Sequence, residues 1–261
     1  MVTHPSLHGL DLCWSSLHGL LSELSDEQWS TQSLCPDWDI AGVVMHLISV
    51  EEMLLDRQPL EFAERLPFEE IAGFTEAMSS LSGAQLTEKF ASVTAARSTQ
   101  LSKMSEDDFA TPVMTPVGPG TYGRFMNVRV FDFWVHEQDI RTPLGLPGHE
   151  GGPAAERSID EIRMSMPYIA GKRVGVPDGS SLRVHLTGPV AGDITVRVAG
   201  RAGLVDDLDE TSASITVDST TFALLACGRV NPQSRIDSGH ITWSGDQELG
   251  ERAARNLRFT M

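Results

Sequence analysis

Asp132 and His136 stand four residues apart in Arg129-Val-Phe-Asp-Phe-Trp-Val-His-Glu-Gln-Asp-Ile-Arg141, a segment whose apolar residues recur at helical spacing. Residues i and i+4 of a helix project from one face. A carboxylate oxygen and an imidazole nitrogen there would come close enough to share a divalent ion such as zinc. The same spacing also serves a surface pair, or a hydrogen-bonded carboxylate and imidazole in a partly buried layer, so spacing alone leaves three readings open. Asp139, one turn beyond His136, can orient the imidazole or pair with Arg141 at the helix end, and the ion pair is the simpler expectation.

Holding such a pair still requires a packed frame. Apolar residues recur at three- and four-residue spacings from Leu7 to about Leu24, Asp39 to about Leu55, about Ala84 to Met104, Tyr122 to Ile140 and Ala154 to Ala170, which predicts five amphipathic helices. The second starts after Cys35-Pro-Asp-Trp-Asp39, where Pro36 interrupts helix and Asp39 can accept hydrogen bonds from the free amides of the first turn. The fourth is expected to end before Thr142-Pro-Leu-Gly-Leu-Pro-Gly148, a run of helix breakers. Antiparallel packing of four long helices is the economical way to bury those faces.

Beyond Gly171-Lys-Arg-Val-Gly-Val-Pro-Asp-Gly179 the pattern alternates at Leu182/Val184/Leu186, Ile194/Val196/Val198, Ile215/Val217 and Ile241/Trp243, which predicts short strands. Helical stretches at Thr220–Cys227 and Gln247–Phe259 lie among them. The expected fold class is therefore α plus α+β: a helical bundle over residues 1–172, a linker near 171–180 and a small α+β domain over 173–261.

Charge narrows the partners. The chain of 261 residues carries −16, of which residues 1–172 hold −14 (25 acidic, 11 basic) and residues 173–261 hold −2 (11 acidic, 9 basic). That field repels phosphate backbones and anionic membranes, and no Lys/Arg-rich cluster overrides it. No run approaches the roughly 20 apolar residues of a membrane span. Cys13, Cys35 and Cys227 are odd in number, widely spaced and without a CxxC, as expected of buried thiols in the cytoplasm. Serine-hydrolase, Walker and dinucleotide signatures are absent. His4, His8, His18, His149, His185 and His240 lack a chemical partner at useful spacing, and Trp14, Trp29, Trp38 and Trp134 read as core anchors, with Trp134 close enough in sequence to both Asp132 and His136 to line a pocket.

Trp38-Asp-Ile-Ala-Gly-Val-Val-Met-His46-Leu resembles the second-helix motif of the mycothiol-dependent maleylpyruvate isomerase family. So does the stretch from Arg129 to Gly148, with its Asp132, His136, His-Glu-Gln-Asp run and Leu-Gly-x-Pro-Gly ending. Gly228-Arg229 after a short helix and Gly239-His-Ile-Thr-Trp-Ser-Gly-Asp246 before the last one match the family's second domain. The resemblance implies a DinB-like four-helix metal-binding bundle followed by a sterol-carrier-like α+β domain. It implies zinc on His46, Asp132 and His136, and an activity-supporting arginine at Arg229. The family's isomerase has Glu where this chain has Asp132, which leaves the metal expectation in place and puts the substrate in question. Three protein ligands leave one position open, as catalytic zinc requires.

The implied cosubstrate is mycothiol or a similar low-molecular-weight thiol, since zinc favours the thiolate, which is the nucleophile. Attack on a small electrophile gives cis-trans isomerisation if the thiol departs and S-transfer if it stays. A non-catalytic small-molecule binder or regulator on the same scaffold is the alternative, because fold does not imply function.

Overall fold

The computed structural model describes residues 4–206 and 208–259 and divides the chain into two compact units, 1–148 and 149–261.

In the first unit, α1 (Pro5–Ser22), α3 (Ile40–Leu54), α5 (Gly83–Leu101) and α7 (Tyr122–Leu144) pack in a ring, α1 against α7 and α5, and α3 against α5 and α7. Leu10 and Leu17 of α1, Val43, Leu47 and Met53 of α3, Phe90 of α5 and Phe125 and Phe133 of α7 close the core between them. As expected, Asp39 caps α3, accepting from the Gly42 amide at 2.8 Å. Pieces that the periodicity did not predict fill the connections: α2 (Asp26–Trp29), α4 (Phe68–Met78), α6 (Glu106–Ala110) and the hairpin β1 (Pro112–Thr115) and β2 (Gly118–Thr121).

The hairpin bears on the site. Its two-residue turn, Pro116-Val117, is followed by Gly118 at φ 109 at the start of β2, and it delivers Thr121, whose hydroxyl accepts from the Arg124 amide at 3.1 Å and starts α7. The first turn of α7, and with it the rotational phase of Asp132 and His136, is thereby fixed. Helix α7 also runs past the predicted stop at Thr142. It takes in Pro143 and ends at Gly145, whose φ of 64° supplies the left-handed cap.

The second unit begins earlier than expected. The helix read as the bundle's fifth, α8 (Pro153–Tyr168), packs on β4, β5 and α9, and so belongs with the sheet. The Gly/Pro-rich passage near 171–180 falls inside that unit: α8 continues into a π-helical turn over Ile169–Val174, and residues 175–180 lead from it to the sheet. The sheet has order β5-β4-β3-β6-β7, built from β3 (Ser181–Thr187), β4 (Gly192–Ala199), β5 (Arg201–Val205), β6 (Ala213–Asp218) and β7 (Ile241–Gly245). Only the β3–β6 pair is parallel. Helices α9 (Ser219–Ala226), α10 (Pro232–Asp237) and α11 (Gln247–Arg255) complete an α+β unit. Leu182, Val184, Leu186, Ile194, Val196, Ile215 and Val217 are buried, as their alternation predicted.

Candidate metal centre

Helix α3 contributes His46 and helix α7 contributes Asp132 and His136. Nε2 of His46 lies 3.6 Å from Oδ2 of Asp132, and Nε2 of His136 lies 3.6 Å from Oδ1 of the same carboxylate. One donor atom from each residue falls within 4.8 Å of the others. A tetrahedral ion with bonds of about 2.0–2.1 Å needs donors roughly 3.3 Å apart, so this set fits a zinc-sized ion with small adjustment. Side-chain exposure is 22% for His46, 28% for Asp132 and 7% for His136, which leaves the cluster an open side.

The surrounding charges keep Asp132 and His46 in ligand form, whereas on His136 they favour a proton that a bound ion would have to displace. Burial works against ionising Asp132, yet Arg129 and the two imidazoles hold its carboxyl well below the usual carboxylate range. The Arg129 Nη1 donates directly to Asp132 Oδ2. Burial pushes His46 down despite the neighbouring carboxylate. His136 goes the other way: burial opposes its charged form, but Asp132, Asp139 and Cys35 together raise it to about 10.

Behind Arg129 stands a buried ion cluster that the sequence reading missed. Glu51 of α3 accepts from Arg129 Nε through Oε1 and from Arg97 Nε of α5 through Oε2, both at 2.9 Å. Arg97 also reaches Gln100 Oε1 at 2.5 Å and Tyr122 Oη at 3.3 Å. Burial disfavours the Arg97 cation, but Glu51 outweighs that and raises its pKa. Glu51 thus ties α3 to α7, the two helices that carry the three donors. A signal was present: Glu51 continues the Val44, Leu47, Ile48 stripe of α3, and Arg97 continues the Leu86, Phe90, Val93 stripe of α5, so both charges fall on core faces.

Asp139 faces His136, with Oδ2 at 2.9 Å from Nδ1. The Asp139–Arg141 pair is replaced by Arg141 Nε donating to Glu137 at 2.7 Å, because i,i+4 neighbours share a helix face and i,i+2 neighbours do not. Trp14, Trp29 and Trp134 are buried as expected, but Trp38 is 37% exposed. Its indole stacks on His46 with ring centroids 4.9 Å apart. Gly42 permits this, since a Cβ there would crowd the Trp38 side chain at 3.0 Å. Trp134, two residues from either α7 donor, sits about 200° around the helix from both. It serves the core, at 1% exposure. Among the other histidines, His4 stacks on Phe109, His185 meets Asp193 and His240 meets Ser238.

A second group of three, Cys35, His136 and Asp139, also has donor atoms within 4.8 Å of one another. All three are buried, and Cys35 Sγ donates to Asp139 at 3.1 Å. With its members already paired to each other and no open side, that group is the less suited of the two to an ion.

The model of the mycothiol maleylpyruvate isomerase N-terminal domain matches residues 10–141. The chain belongs to that family. The family's C-terminal domain matches residues 156–252, a span that includes α8 with the sheet. The solved structure of a mycothiol-dependent maleylpyruvate isomerase is 18% identical, with a TM-score of 0.61 over 94% of this chain and 93% of that one. Its His-to-Ala mutant gives 17% and 0.58 over the same shares. At this identity the likeness establishes the fold. A sterol carrier protein-2-like structure from Aedes aegypti is 18% identical over 37% of this chain and 89% of that one, with a TM-score of 0.26, too low to carry an argument. No curated protein matches the sequence. Among the described residues no helix is long and apolar enough to cross a membrane.

Proposed function

We propose that this member of the family is a zinc enzyme that uses mycothiol, or a thiol like it, as nucleophile toward a small electrophile. The reading rests on one observation above all: His46, Asp132 and His136, from two helices, converge on one half-open site in a chain of this family. Two imidazoles and one carboxylate suit zinc, and also accept other first-row metals. A zinc ion held there lowers the pKa of an adjacent thiol and supplies thiolate at neutral pH.

With a maleylpyruvate-like cis-alkene, the sulfur bonds to one alkene carbon and the electron pair moves into the conjugated carbonyl. The remaining single bond rotates, the pair returns, the C–S bond breaks and the thiol leaves unchanged. If the adduct instead takes up a proton from water, the product is the S-adduct. The chain's own residues orient these groups. Arg129 keeps Asp132 ionised and aimed, and the Trp38 indole shields one face of His46 from water.

Arg229 is the residue we propose for the substrate carboxylate, which a guanidinium can take with two parallel N–H···O bonds. It follows α9 in the second unit, is half-buried, and places Nη1 3.4 Å from the Cys227 carbonyl. Arg229→Ala is expected to lower kcat/KM about 10- to 100-fold, the scale of one charged hydrogen-bond pair, with metal content unchanged. Steady-state kinetics beside metal analysis checks it. We place the protein in the cytoplasm, a reading supported by Cys13, Cys35 and Cys227 being buried thiols with no disulfide among the described residues.

The test is turnover of maleylpyruvate, and of a chloro-dinitro-aromatic, by zinc-loaded protein with mycothiol. Thiol-dependent consumption that a chelator abolishes is the expected result. A rate no higher than the uncatalysed one with both electrophiles would contradict the enzyme reading in favour of a small-molecule binder.

A further inference from the structure

The segment between α2 and α3 is held from within by side chains. Gln32 Nε2 donates to the Cys35 and Trp38 carbonyls, both at 2.8 Å, and Ser33 Oγ donates to the Trp38 carbonyl at 2.6 Å while accepting from the Cys35 amide at 3.0 Å. The Leu34 amide donates to the Asp139 carbonyl at 3.1 Å, which pins the segment to α7. The consequence is that Cys35 Sγ sits 3.1 Å from Asp139 Oδ2 and 3.8 Å from His136 Nδ1, with all three side chains buried.

An imidazole has two nitrogens, and only the one without a proton can ligate. Asp139 Oδ2 at 2.9 Å from Nδ1 places a carboxylate where an N–H must point. In the neutral ring that arrangement puts the Nε2 lone pair on the side of Asp132 and His46. The same carboxylate oxygen also takes the Cys35 S–H, so two donors converge on it and the group has one orientation. A ligand imidazole backed by a carboxylate is both oriented and made more basic.

We infer that Asp139 is a positioning residue of the metal centre: it fixes the Nδ1–H tautomer and ring plane of His136, and the Cys35 thiol fixes Asp139. The inference rests on the proposed metal reading and adds residues to it that touch neither ion nor substrate.

The test is the affinity of the full chain for zinc alone, by competition with a chromogenic chelator, in wild type, Asp139→Asn, Cys35→Ala and Cys35→Ser. Asp139→Asn is expected to bind zinc about 10- to 100-fold more weakly. Cys35→Ala should weaken binding by a smaller factor, and Cys35→Ser, which restores a donor, should recover it. The cobalt form adds a readout that a purely structural role would leave alone: its visible absorption bands should shift in Asp139→Asn. If that variant does not fold, the Cys35 pair decides by the same measurement. Wild-type zinc affinity in Asp139→Asn, or equal affinities in the two Cys35 variants and wild type, would overturn the inference while leaving the metal reading intact. Wild-type protein that takes up no zinc would remove both.

Discussion

Glu51→Gln is expected to destabilise the first unit by about 3–5 kcal/mol, the usual cost of removing one partner from a buried ion pair. Among the described residues Glu51 is the only acidic partner of Arg97, and Arg129 Nη2 already lacks a hydrogen-bond partner. Neutralising Glu51 leaves two buried guanidinium groups with one carboxylate, Asp132, between them. A loss of that size is a large part of the 5–15 kcal/mol that typically separates folded from unfolded chains. Urea unfolding should show a lower midpoint at unchanged slope. The Glu51→Leu/Arg97→Met double variant should cost less than the two single variants added together, because the apolar pair leaves no unmatched charge on that side. Equal, additive losses would mean that the pair is already uncoupled in the wild-type protein.

His46→Ala should leave the fold in place and lower kcat/KM on the order of 10³-fold or more. The side chain lies at the rim of the core with its ring against an exposed indole, so its removal opens little sealed volume. The activity loss follows from removing one of three ligands: metal assistance contributes several kcal/mol, and each 1.4 kcal/mol is tenfold. Chelation of wild type should produce the same loss, and chelation of His46→Ala should add nothing, as expected when two perturbations remove one unit. A chelated wild type that retains its rate would contradict this.

The three donors were legible for different reasons. Asp132 and His136 follow from helix periodicity alone, since four residues on a regular helix bring two side chains together. His46 stands on another helix, 86 positions from Asp132, and no local rule joins them, so only the family resemblance supplied it. Glu51 and Arg97 stand on core stripes, but periodicity marks a face without saying what pairs across it. Trp38 looked like a core anchor because aromatic residues at helix starts usually are; the glycine at position 42 let the indole fold down over His46 instead. The domain boundary was misplaced because α8 has the same amphipathic period as a bundle helix, and period does not tell which layer a helix covers.

Metal stoichiometry tests the central claim most directly. It would be measured by elemental analysis on protein purified without a metal-affinity step, for wild type, His46→Ala and His136→Ala. The account predicts about one zinc per chain in wild type and loss of it in both variants, since either imidazole alone leaves two ligands. Metal-free wild type that also fails to take up added zinc, or full occupancy in both variants, would contradict it.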